Sequence, residues 1–144
     1  MSLHIKVDVI GDKETLQALK RVGADVKRVH DAAIEAAAEI IQEAAIPNAP
    51  GPEIGREQES NAVWLVGPDK DKWYYKFFET GTPAHFVRPR SAKALRWFAG
   101  GAQFSAGHEV SGVAARPFLR PAIDEHEGEA IKAAGEVIKK VLRA

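Results

Sequence analysis

Glu79 and His85 are the two side chains best suited to acid–base chemistry. They lie six residues apart across a Gly-Thr-Pro corner, which could bring them within hydrogen-bond reach. A carboxylate next to Thr80-Gly81-Thr82 is also suited to accepting backbone N–H bonds in a turn, and we favour that structural role. The alternative left open is a small nuclease or toxin-like enzyme that uses Glu79 and His85.

Other catalytic or metal-binding patterns are missing from the sequence. The chain has no cysteine, which removes thiolate catalysis and zinc–sulfur sites. It has no G-x-S-x-G motif, no phosphate-cradling glycine loop and no Asp/Glu cluster for two metals. The five histidines show no metal-ligand spacing (His4, His30, His85, His108 and His126). We therefore predict a protein with no catalytic residues, no metal and no cofactor.

A run of basic residues in the middle of the chain is the next chemical signal (Arg88, Arg90, Lys93 and Arg96). Residues 84–120 contain six Lys/Arg and one acid, although the formal net charge of the chain is +0. Arg88 and Arg90 would share one face of a strand and form a ridge for phosphate or partner contacts. A solvated loop that keeps an exposed hairpin from pairing with other chains explains the run slightly better. A non-catalytic nucleic-acid-binding module remains a further alternative.

Aromatic side chains are concentrated directly before Glu79 (Trp73, Tyr74, Tyr75, Phe77 and Phe78). Periodicity over residues 72–79 leaves both a strand and a short helix open, and the i, i+4 spacing of Trp73 and Phe77 favours the short helix. We expect the cluster to fill a core, and a nucleotide-stacking platform is the alternative.

The remaining pattern alternates between strand and helix. Residues 3–9 alternate apolar and polar types, which predicts a strand followed by an N-cap at Asp12. A short helix ending near Gly23 and a long Ala-rich helix that stops at Ile46-Pro47 come next, and we expect a strand face across the long helix. Residues 61–67 predict another strand. From Pro121 the spacing predicts one terminal helix, in which Gly128 and Gly135 indicate close packing on one face.

Two segments lack a clear period. Residues 47–60 are rich in Pro, Gly and Glu, which predicts a flexible loop. In residues 84–112, the pieces 86–90 and 94–98 flank a short turn and predict either two strands or a strand–helix pair, and residues 104–110 predict another strand. Together these pieces predict a projecting β-hairpin or loop. The length of 144 residues fits a single domain over the whole chain. No apolar run approaches the ~20 residues of a membrane span, and no signal peptide begins the chain. We therefore expect synthesis in the cytoplasm without export, and no membrane partner.

Two rigid Pro/Gly corners bound the projecting segment. We call residues 78–82 the FETGT segment and residues 115–122 the ARPFLRPA segment. This pair of motifs, in this order, resembles the tail-component family of long-tailed bacteriophages named after the tenth gene product of a lambda-like phage. One piece departs from the family pattern, because the loop after Ala49-Pro50 lacks the Thr that many members carry. The signature residues, expected in packing or in a subunit interface, are Phe78, Glu79, Gly81, Thr82, Arg116, Pro117, Phe118, Leu119 and Pro121.

The resemblance implies a fold and a function. The expected fold is α+β, with a small antiparallel sheet packed against a long N-terminal helix and a C-terminal helix. The expected function is a structural virion protein of a phage or prophage, a tail-completion or head–tail connector subunit that caps the tail tube. Its implied partners are copies of itself in a ring, commonly sixfold, the tail tube protein and a head-closure or neck protein, with genomic DNA at most weakly bound in the lumen.

Assembly and pairing carry two further expectations. We expect the isolated chain to be a monomer that forms the ring when segments 47–60 and 84–112 become ordered against neighbours. The guanidinium of Arg116 or Arg120 is expected to bond an acid or a backbone carbonyl. The implied localisation is the tail or neck of the virion, after synthesis in the bacterial host.

Overall fold

The computed structural model describes residues 3–7 and 13–144. Its helices are α1 (Lys13–Arg21), α2 (Val26–Ala45), α3 (Lys76–Thr80) and α4 (Leu119–Arg143). Its strands are β1 (Ile5–Val7), β2 (Ile54–Ser60), β3 (Val63–Pro68), β4 (His85–Val87), β5 (Leu95–Phe98), β6 (Ala102–Ser105) and β7 (His108–Val110). Short 3-10 helices occupy Ile46–Asn48 and Lys70–Tyr75. The predicted N-cap Asp12 and the end of the predicted first strand lie outside the described residues.

The core forms between α2 and α4. Small residues of α2 are fully buried, among them Ala33, Ala37, Ala38 and Ala45. Because these side chains are short, the α4 backbone can approach closely, and α2 packs along α4 more extensively than against any other element. The expected strand face is also present, since β3 crosses α2 and buries Val66 there.

The sheet beside this helix pair is antiparallel, with strand order β1-β3-β2. Val66 of β3 lies opposite Ile5 on one side and opposite Arg56 on the other. Together with the two long helices, this small sheet gives an α+β fold, so the predicted fold class is confirmed. The predicted short helix before Glu79 is also present, as the 3-10 helix Lys70–Tyr75 followed by α3.

The predicted loop at residues 47–60 is wrong in its second half, because residues 54–60 form β2. This strand is hard to detect from hydropathy, since its side chains change from buried Ile54 to exposed polar residues along its length. Its partners on α2 are polar: Gln42 donates to the carbonyl of Ile54 at 2.7 Å, and Arg56 donates to Gln42 at 2.6 Å. The hypothesis that assembly orders segments 47–60 and 84–112 therefore does not apply to residues 54–60, which are already ordered as β2.

Residues 84–112 form an arm built from two ribbons, which pair as β4–β7 and β5–β6. Residues 86–90 and 94–98, expected to flank one turn, therefore belong to different ribbons. The expected strand 104–110 is divided between β6 and β7, because Gly107 has a φ of 152°. Arg88 and Arg90 lie outside any strand, so they do not share a strand face, as the alternative of a phosphate-binding ridge requires. Both are exposed, in agreement with the solvated loop that we favoured.

The close packing expected at Gly128 and Gly135 is not found within the described residues. A Cβ added at either glycine would meet no described atom within 4 Å outside the neighbouring turns of α4. On the same face of α4, Ile131 is 54% exposed. The described part of the chain therefore leaves open space beside both glycines.

Candidate functional site

The FETGT and ARPFLRPA segments meet at the carboxylate of Glu79. Its Oε2 accepts hydrogen bonds from the backbone N–H of Phe118 at 2.7 Å and of Leu119 at 3.0 Å. Its Oε1 accepts from the N–H of Arg120 at 3.0 Å. The first N–H groups of a helix have no partner within that helix, and they carry partial positive charge. Glu79 therefore caps α4 from a distant part of the sequence, and no side chain of α4 itself performs this role.

Main-chain contacts join the same two segments. The N–H of Arg116 donates to the carbonyl of Phe78 at 2.6 Å. Thr82 and Val113 form an antiparallel bridge, in which each N–H donates to the carbonyl of the other, at 2.9 and 3.0 Å. These bonds close the base of the arm, so the arm enters and leaves the helical frame at one junction.

Gly81 is required at this junction by its conformation and by its surroundings. It has a φ of 71° and a ψ of 172°, a region that is essentially restricted to glycine. An added Cβ would lie 2.9 Å from both the nitrogen of Ala115 and the carbonyl oxygen of Val113. The chain can therefore turn between Glu79 and the arm only if this position has no side chain.

Phe118 and Leu119 anchor the start of α4 in the core. They are 0% and 1% exposed, and the ring of Phe118 meets the edge of Tyr75 at a centroid distance of 6.2 Å. Pro121 is partly buried, whereas Arg116 and Pro117 are exposed. The signature residues thus divide between a buried structural group and an outward-facing group that is open to a partner.

The structure does not bring Glu79 and His85 together as an acid–base pair. The Nδ1 atom of the exposed His85 lies 3.3 Å from the carbonyl oxygen of Pro83. Beside Glu79 is a mainly apolar groove of about 270 Å³, lined by Leu3, Ile5, Leu119, Arg120, Ile123 and Asp124, and not by His85. An ionised carboxylate has about four lone-pair sites, and backbone N–H groups occupy three of those at Glu79, which supports the structural role that we favoured for it.

The side chains of Arg116 and Arg120 do not find the expected acid or carbonyl within residues 3–7 and 13–144. Both residues instead take part in the junction through their backbone N–H groups. The four basic residues of the arm, predicted as phosphate or partner contacts, are exposed (Arg88, Arg90, Lys93 and Arg96). None of these cations forms an ion pair with an acid in the described part of the chain.

The aromatic cluster only partly fills the core. Tyr75 is 3% exposed, whereas Trp73 is 61% exposed and makes an edge contact with Phe77 at 5.8 Å. Lys76 Nζ lies 5.1 Å from the Phe77 centroid, so this ring also has a cation beside it. The prediction of core filling is therefore right for Tyr75 and wrong for Trp73.

Tyr75 also belongs to a polar group with Glu53 and Lys72. The hydroxyl of Tyr75 donates to Oε2 of Glu53 at 2.6 Å, and Lys72 lies 3.5 Å from Oε1. This hydrogen bond lowers the pKa of Glu53, with Lys72 contributing, and raises the pKa of Tyr75 to about 12. The pKa of Lys72 is raised by Tyr74 and by Glu53. Through Glu53, this group attaches the segment before β2 to the 3-10 helix Lys70–Tyr75.

Asp31 is a structural hub that the sequence analysis missed. Its Oδ1 accepts from Gln58 at 2.7 Å, from the N–H of Ala62 at 2.9 Å and from the indole of Trp64 at 3.2 Å. Ala62 has a φ of 55°, and this bond holds it in the β2–β3 turn. The available signal was one acid at the edge of the Ala-rich buried side of α2, followed by a strand with a tryptophan.

No helix in the described ranges has both the length and the apolar character needed to cross a membrane. Nor do three or more His, Asp or Glu side chains of those ranges come together in a group that could hold a metal ion. Comparison of the chain with protein-family models, with curated proteins and with solved structures found no match.

Proposed function

We propose that this protein is a structural subunit of a phage or prophage tail, a tail-completion or head–tail connector protein that forms a ring on the tail tube. The observation that carries the proposal is the contact of Glu79 with the start of α4. This contact joins the two motifs on which the family resemblance rests, and its role is to hold parts of the structure together. It fixes the arm to the helical frame.

The exposed residues support the same proposal. A subunit that forms a ring by heterologous contacts needs two different surfaces, one on each side. The arm is exposed and basic, and the outward side of the ARPFLRPA segment has unpaired arginines among the described residues. Both features are suited to contacts with neighbouring subunits or with the tube.

Deletion of the gene from the phage or prophage genome tests the proposal. We expect lysates that contain DNA-filled heads and separate tails, seen by negative-stain electron microscopy, because the joint between them is missing. Addition of purified protein to such a lysate should restore joined, infectious particles. Complete and infectious particles from the deleted genome would contradict the proposal.

Variants at Glu79 and His85 test the enzymatic alternative. Wild type, Glu79→Ala and His85→Ala are assayed on RNA and on single- and double-stranded DNA. We expect no cleavage by any of them, because Glu79 is engaged by backbone amides. A wild-type activity that both substitutions abolish would replace the structural proposal with a nuclease.

A further inference from the structure

The end of the arm presents a surface that no described part of the chain covers. Arg96 pairs across the ribbon with Phe104, and Phe98 lies two residues beyond Arg96, so the three side chains share one face. Phe98 is 74% exposed and Phe104 is 64% exposed. The Arg96 guanidinium lies over both rings, 5.0 and 5.8 Å from their centroids. We call this surface the tip face.

The composition of the tip face is typical of a protein–protein contact. Aromatic residues and arginine are enriched at the centres of interfaces, where they contribute most of the binding energy. A two-stranded ribbon is marginally stable by itself and gains little by exposing large aromatic side chains. On the opposite face of the same ribbon, Trp97 packs on His108 at a centroid distance of 5.2 Å and remains 40% exposed.

A complementary surface lies on α4. Asp124, Glu127, Gly128 and Ile131 are spaced i, i+3, i+4 and i+7, so they share one face of the helix, which we call the α4 stripe. Each is exposed, and Ile131 is 54% exposed. Neither acid forms an ion pair with a cation of the described residues. Gly128 leaves an open notch beside Ile131.

The charges of the chain favour a second copy as the partner of the tip face. Segment 84–112 has four basic residues and one acid, whereas the chain as a whole has a formal net charge of +0. The arm therefore has a charge of +3. The part of α4 that carries the stripe, residues 119–131, has four acids and one arginine and so a charge of −3. An arm that docks on the acidic face of another copy brings these opposite charges together, and complementary potentials of this kind set the register of an interface.

We infer that the tip face of one copy docks on the α4 stripe of a second copy. Arg96 meets the carboxylates of Asp124 and Glu127, and Phe98 packs against Ile131 in the notch at Gly128. Because donor and acceptor surfaces differ, each copy can bind one neighbour on each side. The inference specifies the subunit contact of the proposed ring, and in that respect it rests on the proposed function.

Nucleic acid is a less suitable partner for this face. Stacking of bases uses open aromatic faces, and the Arg96 guanidinium already lies over one face of Phe98 and one face of Phe104. A nucleic-acid-binding domain also tends to be basic overall, whereas this chain has a pI of about 7.0.

Sedimentation velocity of the full chain, over a range of concentration and salt, tests the inference. In place of the monomer predicted from the sequence, we expect the isolated chain to associate with itself, and this association should weaken as salt increases. The substitution Arg96→Glu should raise its Kd by about tenfold or more. As a single substitution, Glu127→Arg should also weaken self-association. Combined with Arg96→Glu, it should restore self-association, because the two charges are exchanged. Lys13→Glu, on the exposed surface of α1, is the matched charge-reversal control and should have no effect.

A second variant keeps the test independent of arm folding. Gly128→Leu fills the notch, and the position has open space for the new side chain within the described chain. We therefore expect an unchanged circular dichroism spectrum, which reports a retained fold, together with a loss of association. A monomer at all concentrations up to about 1 mM, or association that Arg96→Glu and Gly128→Leu leave unchanged, would overturn the inference. Failure of Glu127→Arg to restore association to Arg96→Glu would overturn the assignment of the α4 stripe.

Labelled single-stranded DNA provides the competing arm of the experiment. Salt-dependent binding by monomeric wild type that Arg96→Glu abolishes would overturn the inference in favour of a nucleic-acid site. The outcome is separable from the proposed function. Self-association through these surfaces in a protein whose deletion leaves particles intact would reject the tail role alone, whereas a monomer whose deletion separates heads from tails would reject this contact alone.

Discussion

The Oε2 atom of Glu79 accepts a hydrogen bond from the backbone N–H of Phe118 at 2.7 Å, across 39 positions of sequence. Side chains that cap a helix usually lie directly before it, as Asp25 does for α2. Here the cap is supplied from the other end of the arm. The start of α4 and the base of the arm are therefore stabilised by one carboxylate.

Replacement of Glu79 should destabilise the fold. We expect Glu79→Ala to reduce the free energy of unfolding by about 1–3 kcal/mol, because backbone N–H groups next to buried Phe118 and Leu119 lose a charged acceptor. Glu79→Gln should cost less, since one amide oxygen remains to accept. Urea unfolding measures the difference, and Glu43→Ala, at an exposed position on α2, is the control. An equal and small effect of Glu79→Ala and Glu43→Ala would contradict the capping role.

Gly81 should tolerate substitution less well than another glycine with positive φ. Gly23 has a φ of 70° but open space around its Cα, whereas Gly81 combines a φ of 71° with close backbone atoms. We expect Gly23→Ala to cost about 1–2 kcal/mol from backbone conformation alone, and Gly81→Ala to cost more. Thermal unfolding of the two variants measures the extra contribution of packing. A smaller loss for Gly81→Ala would show that the junction can relax.

The Tyr75–Glu53 hydrogen bond should appear in an alkaline titration. The chain has two tyrosines, so in Tyr74→Phe the absorbance of tyrosinate reports on Tyr75 alone. The hydrogen bond to Glu53 raises the pKa of Tyr75 from its ordinary 10.0 to about 12, so ionisation should occur well above pH 10. Glu53→Gln should move the midpoint back toward 10. An unshifted midpoint in Tyr74→Phe would contradict the contact.

The same group makes stability depend on pH at both extremes. The folded state raises the pKa of Tyr75, so its contribution is fully present below pH 10 and is lost as the pH rises toward about 12. The folded state lowers the pKa of Glu53, so its contribution is present above the ordinary value of 4.5 and is lost at lower pH. In Tyr75→Phe, the free energy of unfolding should no longer fall as the pH rises from 10 to about 12, and its fall at acid pH should be smaller than in wild type. Curves that superimpose for wild type and Tyr75→Phe would reject this linkage.

Asp31 should be more important for stability than its position on a helix surface suggests. Asp31→Ala leaves the N–H of Ala62 and the indole of Trp64 without their acceptor, which we expect to cost about 1–3 kcal/mol. In a background in which Trp73 and Trp97 are replaced by Phe, Trp64 is the one tryptophan that remains. Its fluorescence should change together with the unfolding midpoint, since the ring loses its anchor. Glu14→Ala on α1 serves as an exposed acid control. If Asp31→Ala behaves like that control, the hub has no energetic role.

Local patterns were sufficient for most of the helices and for β3. Apolar spacing along α2 and α4 specifies which side of each helix is buried, and this signal needs only the near neighbours in sequence. The i, i+4 pair of Trp73 and Phe77 likewise indicated the helix before Glu79. The α+β class follows from these elements, because amphipathic helices must bury their apolar sides against another layer.

Long-range contacts decided the rest. β2 pairs along β3, and α2 provides Gln42 and Asp31 as additional partners for this polar strand. Hydropathy does not indicate such pairing. The division of the arm into two ribbons depends on which of four short strands meet, and their similar lengths left several pairings equally suitable. The role of Glu79 changed from a local turn to a distant helix cap for the same reason: a carboxylate binds whichever N–H groups the fold brings to it.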